Sequence, residues 1–340
     1  MVYRCIGNPE IPDRMTETVL IALGGNALVR PNEDGSFDQQ VENSRGIANA
    51  IAESIADGVR VVIAHGNGPQ VGNVMLQNDA DVTDAQRMPL FACSAASQGI
   101  IGAALSLAFE SAFERKSLDS TAVPLLTPVF VSEDHDEATK PVGPFYSESE
   151  AKKRETQTDV VFKEDAGRGW RRVVPSPSPE YIRCTDQVRH ALREGNVPIA
   201  AGGGGLPLAP CDDGYEYIDA VVDKDLAAAQ LASQLDVDRL VILTDVSHVY
   251  LNYDEPEETR LTRVNCVTAR QYQAAGHFER GSMYEKIEAV CQFVESGGTE
   301  AVIASLDNAG DAVDGNTGTR FESGSSAATT DTLQYDIQTE

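Results

Sequence analysis

Short runs of apolar residues recur along the chain, and most are separated by enough residues to form a helix. The runs are rich in Val, Ile, Leu and Ala and are bounded by polar residues or glycine, which is the pattern of strands buried on both faces. We predict strands over residues 17–24, 60–65, 121–130, 196–201, 239–244 and 300–305.

The intervening stretches show the spacing of helices. One apolar face is formed in residues 41–59 by Val41, Ala48, Ile51, Ile55 and Val59. Residues 89–114 are apolar over most of their length and predict a long, mostly buried helix. Strands that alternate with helices predict an α/β fold with an open, mainly parallel sheet between helix layers.

Residues 131–180 interrupt this alternation. The segment contains "KPVGPFY", "EDAGRGW" and "PSPSPE", with many prolines, glycines and acidic residues. We predict a small lid that protrudes from the main sheet.

Both ends of the chain differ in composition from its centre. Residues 1–16 are predicted to be an N-terminal extension, and Met15, just before the first strand, is an alternative start. Residues 322–340 are polar and mostly small, which predicts a disordered tail.

The charge of the chain narrows its possible partners. Its 53 acidic and 27 basic residues give a formal net charge of −26, which repels phosphates and argues against nucleic-acid or anionic membrane partners. Counting along the sequence gives 7 lysines, and an acidic surface poor in lysine favours a high-salt cytoplasm. No apolar run approaches the roughly 20 residues of a membrane span, and the first residues lack the apolar segment of a signal peptide. We predict a cytoplasmic protein.

Glycine-rich turns follow several of the predicted strands. They contain Gly24, Gly25 and Asn26, then Gly66, Asn67 and Gly68, and finally residues 202–205, which include Gly203 and Gly204. Ligands of open α/β sheets gather at the carboxyl ends of strands, and glycine lets backbone N–H groups approach an oxyanion closely.

The sequence has no Walker A loop and no G-x-G-x-x-G at a strand–helix junction, which weakens a dinucleotide oxidoreductase hypothesis.

Two lysines occupy positions where a cation is normally disfavoured. Lys224 lies at the start of a predicted helix over 223–235, with Asp223 as its N-cap. Lys286 lies in the first turn of another helix, where Ser282 and Glu285 predict a capping box. A cation near a helix N-terminus costs up to ~1 kcal/mol, which a neighbouring anion would offset.

Phosphoryl transfer is a chemistry that uses such lysines. The transferred group spreads negative charge over its oxygens, and enzymes stabilise it with lysines, backbone N–H groups and Mg²⁺. Lys140, in the predicted lid, is a further candidate. Asp225 could orient the lysines or hold the metal through water, and Asp245, which ends the strand "VILTD", is a weaker candidate for the same work.

Several segments together resemble the carbamate kinase family of the amino-acid-kinase superfamily. They include "VLIALGGNAL", "HGNGPQVGN", "FKEDAGRGWRRVVPSP", "AGGGGLP" and "VVDKDLAAAQLA", and the resemblance extends from about residue 17 to 321. It implies an eight-stranded open sheet, a protruding lid and a homodimer. The implied reaction is reversible phosphoryl transfer between ATP and carbamate, with ADP and carbamoyl phosphate as the other pair; arginine fermentation uses it to make ATP.

The resemblance also implies roles for individual residues. Lys224 and Lys286 would stabilise the transferring phosphoryl group, Asp225 would position these lysines and Mg²⁺, and Lys140 would reach in from the lid. The phosphoryl oxygens and substrate would be held by Gly24, Gly25, Asn26, Gly66, Asn67, Gly68, Gly203 and Gly204. The nucleotide would be contacted by Asp245, Tyr253 and Met283. On this interpretation 17–220, with the lid, binds the acceptor, and 221–321 binds the nucleotide.

The chain departs from the family pattern at a few positions, and alternative functions remain. Asp254 and Glu255 stand before Pro256 in the nucleotide-side loop, Glu285 replaces a common proline, and Phe91 replaces a common aspartate. The alternatives are another acid or phosphate kinase of the superfamily, such as acetylglutamate kinase, and a catalytically silent nucleotide sensor.

Overall fold

The structure, a computed structural model, describes residues 16–24, 27–30, 33, 35–79, 86–132, 137–157, 160–165, 167–324 and, as backbone only, 329–332. The first half of the described chain forms β1 (Thr18–Leu23), α1 (Phe37–Ala56), β2 (Arg60–His65), α2 (Gly68–Asp79), α3 (Leu90–Lys116), β3 (Ala122–Pro124), β4 (Pro128–Val131), β5 (Ala138–Tyr146), α4 (Glu148–Glu155), β6 (Val161–Glu164), β7 (Trp170–Pro175) and β8 (Pro179–Ile182). The second half forms α5 (Thr185–Arg193), β9 (Val197–Ile199), β10 (Leu206–Cys211), β11 (Gly214–Tyr217), α6 (Lys224–Leu235), β12 (Arg239–Thr244), β13 (Val249–Leu251), β14 (Thr259–Asn265), α7 (Cys266–Ala274), α8 (Met283–Glu295), β15 (Glu300–Ser305), α9 (Ala309–Val313), β16 (Thr319–Glu322) and β17 (Thr329–Thr332).

The main sheet confirms the predicted α/β architecture. Its strand order is β13-β14-β16-β15-β12-β1-β2-β9-β3, and β17 pairs with β14. The central pairs are parallel, whereas β13, β16 and β17 each make an antiparallel pair towards one edge. The sheet therefore has ten strands in the described part of the chain, where the resemblance implied eight, because short edge strands extend it.

Helices cover both faces of this sheet and create two apolar layers. Val19, Ile21 and Leu23 of β1 face α1, α3 and α9, while Leu20 and Ala22 face the side covered by α5 to α8. All six residues of β1 are buried, which explains why the strand has a continuous apolar run rather than an alternating one.

The long helix α3 is part of this core. Among the described residues it is the one helix whose length and composition would allow it to cross a membrane, but half of its most apolar stretch is buried within the protein. Phe109 and Phe113 pack into the apolar layer to which α1 also contributes side chains. The core helix of a soluble protein can have the same length and apolar composition, so these two features are weak evidence for a membrane span.

The prediction of one strand over 121–130 was wrong. The segment forms β3 in the main sheet and β4 in a second sheet of order β11-β10-β4-β8. Between them the backbone turns away: the amide of Leu125 donates to the Ile199 carbonyl, and the amide of Thr127 donates to the side chain of Gln98. These tertiary bonds divide a run that looks continuous in the sequence.

The predicted lid segment contributes to two sheets. Strands β5, β7 and β6 form a separate antiparallel sheet, accompanied by α4. In contrast, β4 and β8, at the two ends of 131–180, pair with each other in the second sheet. The strands of this separate sheet thus lie within 138–175, inside the range predicted for the lid, and their protrusion as a lid stays a prediction.

Residues 329–332 lie within the segment predicted to be a disordered tail, and the prediction does not hold at these four positions. They form β17, which pairs antiparallel with β14. The other residues of 1–15 and 325–340, including Met15, lie outside the described residues.

Candidate active site

A cleft of about 440 Å³ opens where the lid faces the carboxyl ends of the central strands. Its walls come from the turn before α2, the lid strand β5, the glycine turn after β9, and the starts of α6 and α8. The lining includes Gly66, Asn67, Gly68, Lys140, Gly203, Gly205, Asp223, Lys224, Asp225 and Lys286. Several distant segments that the sequence singles out therefore meet at one place.

Two lysines converge on one buried carboxylate in this cleft. The Nζ of Lys224 lies 2.5 Å from Oδ1 of Asp225, and the Nζ of Lys286 lies 3.3 Å from Oδ2 of the same residue. Asp225 is 2% exposed. Each ammonium group has three N–H bonds, so the contact with Asp225 leaves donors for an anion in the cleft.

The pKa values of this group reflect competition between burial and charge. Burial raises the pKa of Asp225, but the ammonium groups of Lys224 and Lys286 outweigh this effect and lower the pKa to about 2. Burial also lowers the pKa of Lys224, and the charge of Lys286 lowers it further against the opposing effect of Asp225. Asp225 is therefore charged at neutral pH, and it favours the charged form of Lys224.

The start of α6 places Lys224 as predicted. Asp223 is the N-cap, and its side chain accepts a hydrogen bond from the amide of Asp225 at 2.9 Å. Lys224 is the first helical residue, and its ammonium group is held by the adjacent carboxylate.

Asp223 also ties the lid to the cleft. Its Oδ2 accepts from the Nζ of Lys140 at 2.9 Å. Burial lowers the pKa of Lys140, but the carboxylate of Asp223 outweighs this and raises it overall. Lys140, from the predicted lid, is thereby brought to the helix end that carries Lys224.

The turn after β9 needs glycine for steric reasons. At Gly203, with φ +61°, a Cβ atom would lie 2.2 Å from Nδ2 of Asn67, and at Gly204, with φ +88°, it would lie 2.0 Å from the carbonyl oxygen of Val222. Both distances are far below van der Waals contact. The turn therefore packs directly against Asn67 and the segment that leads into α6.

The turn before α2 is held by the core. The amide of Gly66 donates to the Leu23 carbonyl at 2.9 Å. The side chain of Asn67 donates to the hydroxyls of Ser97 at 2.8 Å and Ser94 at 3.2 Å, both on α3. Gly68 begins α2, so this turn presents the N-terminus of a helix to the cleft.

The predicted role of Gly24 in holding phosphoryl oxygens stays a prediction, and its amide is already paired within the main sheet. Its N–H donates to the carbonyl of Leu243 at 3.1 Å, because β1 and β12 continue to pair at this point. Gly25 and Asn26 lie outside the described residues.

The three residues predicted to contact the nucleotide do not line this cleft. Asp245 follows β12 on the surface, Tyr253 is 61% exposed and packs against Tyr250, and Met283 packs at the edge of the core at the start of α8. Their nucleotide role stays a prediction.

The predicted capping box of α8 was also wrong. Ser282 is the N-cap by position, but its side chain makes no capping hydrogen bond. The carboxylate of Glu285 instead accepts from the amide of Gly281 at 2.9 Å. The backbone of Ser282, with φ −140° and ψ −102°, lies outside the extended conformation that a capping box uses.

Among the described residues, no group of three or more His, Cys, Asp and Glu side chains is arranged to hold a metal ion. Both carboxylate oxygens of Asp225 are occupied by lysine ammonium groups. The role of Asp225 toward Mg²⁺ stays a prediction.

Comparison with known proteins identifies the family of the chain. A family model described as the amino acid kinase family matches residues 17–305. The chain belongs to the amino acid kinase family. This membership confirms the resemblance and the predicted fold.

Individual relatives are similar over nearly their whole length. Carbamate kinase from Pyrococcus horikoshii is 42% identical over 311 residues, covering 90% of this chain and 99% of that protein. Carbamate kinase 1 from Enterococcus faecium is 42% identical over 304 residues, covering 87% and 96%. The structure of carbamate kinase from Giardia lamblia bound to AMP-PNP matches with a TM-score of 0.84 at 38% identity, covering 91% of this chain and 99% of that one.

Some residues of this amino acid kinase cleft were missed by sequence reasoning. Ser94 and Ser97 hold Asn67, Asp223 binds Lys140, and Arg171 lines the cleft from the lid. The three-residue spacing of Ser94 and Ser97 on an apolar helix was a usable signal, because it places both hydroxyls on one face. The partner of Lys140 gave no signal in the sequence.

His65 makes the stability of the fold depend on pH. It ends β2, is 2% exposed, and its Nδ1 lies 2.9 Å from the carbonyl oxygen of Gly66. Burial lowers its pKa from 6.5 to about 4, although the Gly66 contact opposes this. The unfolded chain is therefore expected to bind the proton at higher pH than the folded chain, and the free energy of unfolding is expected to fall by roughly 3 kcal/mol as the pH drops from 6.5 to 4. Urea unfolding of the wild type and His65→Gln at several pH values measures this change in the free energy of unfolding.

The difference in pH dependence between the wild type and His65→Gln isolates the contribution of His65 to stability. The His65→Gln variant should lose less stability than the wild type over that pH range, while His190→Gln, at an exposed position, should follow the wild type. Equal pH slopes for wild type and His65→Gln would contradict the prediction.

Proposed function

We infer that this chain catalyses reversible phosphoryl transfer between ATP and carbamate, with ADP and carbamoyl phosphate as the other pair. The observation that carries the inference is the pair of lysines, Lys224 and Lys286, fixed on Asp225 in a cleft lined by two glycine-rich turns. The relatives named above are carbamate kinases at about 40% identity over 90% of the chain.

The proposed role of the lysines follows from their geometry. Asp225 holds the two ammonium groups near each other, although they repel, and so fixes positive charge before the substrate arrives. Charge that is already oriented stabilises the oxygens of a transferring phosphoryl group without reorganisation during the reaction. Lys140 adds a third ammonium group from the lid through Asp223.

The acceptor is proposed to bind against the two glycine-rich turns where they meet in the cleft. Gly66, Asn67 and Gly68 of one turn and Gly203 of the other line the cleft, and Gly203 packs directly against Asn67. A surface of backbone groups and one side-chain amide suits a small planar acid such as carbamate. Gly24, Gly25, Asn26 and Gly204 complete the proposed phosphoryl-binding set.

The nucleotide is proposed to reach the same cleft from the half of the chain that contains residues 221–321. Asp245, Tyr253 and Met283 are the proposed contacts, and Tyr253 has an exposed ring available for stacking. Mg²⁺ is proposed to enter with the nucleotide phosphates, which carry most of its ligands in kinases. Asp225 would contact it through water.

A coupled assay tests the function directly. The protein is expected to form ATP from ADP and carbamoyl phosphate in molar KCl with Mg²⁺, the direction that arginine fermentation uses. Absence of ATP formation by the folded protein would overturn the proposed function. Phosphorylation of acetylglutamate in place of carbamate would favour the other kinase of the superfamily, and nucleotide binding without turnover would favour a sensor.

We further propose a homodimer. Ile100 and Leu107 lie seven residues apart on α3, hence on one face, and are 38% and 50% exposed. Leu126, just before β4, is 59% exposed, and Tyr181 and Tyr215 flank Phe130 on the adjacent sheet. Exposed apolar and aromatic side chains of this kind are typical of an interface between subunits.

Sedimentation equilibrium measures the assembly. The wild type is expected to have twice the mass of the 36.5 kDa chain. The double variant Leu107→Asp, Leu126→Asp should sediment as a monomer, because it buries two charges in the proposed interface. A monomeric wild type, or a double variant that still dimerises, would contradict the proposal.

The fold is proposed to depend on salt, as expected of a cytoplasm rich in KCl. A net charge of −26 repels across the whole molecule at ~0.01 M salt, where the Debye length is ~30 Å, and is screened beyond ~3 Å at 1 M. Native stability is only about 5–15 kcal/mol, so self-repulsion of this kind can consume a large part of it. The melting temperature is expected to rise between roughly 0.05 and 3 M KCl, scanned by calorimetry. A flat or falling melting temperature would refute the high-salt proposal and leave the kinase proposal standing.

A further inference from the structure

Thr127 lies behind the glycine turn of residues 202–205 and touches both of its ends. Its hydroxyl accepts a hydrogen bond from the amide of Ala201 at 2.9 Å, immediately before the turn. Its carbonyl oxygen accepts from the amide of Leu206 at 2.8 Å, immediately after the turn. Thr127 is fully buried and does not line the cleft. One residue outside the cleft therefore fixes where the turn begins and where it ends.

The first of these bonds holds an unusual backbone conformation. Ala201 has φ 54° and ψ 30°, the left-handed region that residues with a Cβ atom rarely adopt. This conformation directs the chain from β9 into the turn, whose Gly203 and Gly205 line the cleft. Without the bond to Thr127, Ala201 would favour other conformations and the turn would lose its orientation.

Helix α3 binds both Thr127 and Asn67, which belongs to the other turn of the proposed acceptor site. The side-chain oxygen of Gln98 accepts from the amide of Thr127 at 3.2 Å, and Gln98 is 4% exposed. The neighbouring Ser97 accepts from Asn67 at 2.8 Å. Adjacent residues of one helix thus set the distance between Asn67 and the glycine turn that packs against it.

We propose that Thr127 is a positioning residue for the reaction, which orients the turn of residues 202–205 against Asn67 and so sets the affinity for the carbamoyl substrate. The proposal rests on the proposed function, and it predicts different effects on the affinities for the two substrates. The acceptor side borders the turn directly, whereas the nucleotide is expected from the half of the chain containing residues 221–321.

The test compares Thr127→Val with Thr127→Ser in steady-state ATP formation. Valine has the shape of threonine without the hydroxyl, and serine retains the hydroxyl. Thr127→Val is expected to lower kcat/KM for carbamoyl phosphate by about tenfold or more, which corresponds to about 1.4 kcal/mol, mainly through KM. The KM for ADP should stay within about twofold, and Thr127→Ser should be close to the wild type.

A second substitution tests the cause of the effect. Glycine adopts the left-handed conformation without a steric penalty, so Ala201→Gly in the Thr127→Val background should restore part of the lost affinity. Gln98→Leu, which removes the acceptor for the Thr127 amide, should also raise the KM for carbamoyl phosphate. This variant replaces Thr127→Val in the test if Thr127→Val does not fold. Equal changes in both KM values, or a lower melting temperature with unchanged KM values, would overturn the proposal.

Hydrogen exchange gives a readout that does not depend on activity. Peptides that cover residues 196–210 should exchange faster in Thr127→Val than in the wild type, and at the wild-type rate in Thr127→Ser. Unchanged exchange in Thr127→Val would overturn the positioning role. If the wild type forms no ATP from carbamoyl phosphate, the proposed function fails, and exchange still decides whether Thr127 holds the turn.

Discussion

Replacing either Lys224 or Lys286 with alanine is expected to lower kcat by at least about 100-fold. Both ammonium groups are held on Asp225 in the cleft, where they face the position proposed for the transferring phosphoryl group. Charge that develops mainly in the transition state makes the loss fall on kcat, and removing one such preorganised donor typically costs about 10²–10³ in rate. Steady-state kinetics with ADP and carbamoyl phosphate measures the effect.

The matched control is Lys116→Ala. Lys116 pairs with Glu53 at 3.2 Å on the surface between α3 and α1, and neither residue lines the cleft. It should retain nearly normal turnover, because a surface ion pair contributes little. Lys224→Ala should also melt earlier than the control, since it removes a partner of a carboxylate that is 2% exposed. Near-normal turnover in either cleft variant would place the phosphoryl site elsewhere.

Asp225→Asn is expected to lower kcat by about 100-fold as well, and to move the alkaline limb of the pH–rate profile to lower pH. Asparagine keeps the shape of the side chain but removes the counterion of two lysines. The negative charge of Asp225 raises the pKa of Lys224 against burial, so its loss lowers that pKa further. Lys224 must be protonated to stabilise a phosphoryl group, and activity is lost as the pH rises through its pKa. The profile of kcat against pH measures the shift.

The substitution Asp186→Asn is the control for this prediction. Asp186 lies at the start of α5, its side chain is 91% exposed, and it pairs with Arg189 at 3.4 Å. Its removal should change neither kcat nor the pH profile. An Asp225→Asn profile that lowers kcat without moving the alkaline limb would show that Asp225 does not support the charge of Lys224.

Local patterns predicted most of the fold because parallel strands buried on both faces leave a continuous apolar signal. The runs at 60–65, 239–244 and 300–305 match β2, β12 and β15. The pattern failed over 121–130, where Gln98 and Ile199, distant in sequence, bond to the backbone and split the run. Ala122 of β3 and Val129 of β4 are both buried, although they belong to different sheets, so an apolar run could not distinguish one strand from two.

Lys224, Lys286, Lys140 and Asp225 could be selected from the sequence because they are unusual in their local context. A lysine at a helix start, in a chain with only 7 lysines, by itself indicates a neighbouring anion. Local context did not show that Lys140 binds Asp223, nor that Ser94 and Ser97 hold Asn67. Those contacts join segments that approach each other only after folding.

The sequence by itself determined the class of fold and marked the glycine-rich turns and the unusual lysines as candidates, because each depends on the local chain or on composition. The tertiary structure alone decided which groups are available for chemistry. The amide of Gly24 is not available, since β12 supplies Leu243 as its acceptor, and Glu285 caps Gly281 rather than Ser282. Hydrogen bonds are satisfied by whichever partner the packed chain brings within about 3 Å, and a sequence pattern does not specify that partner.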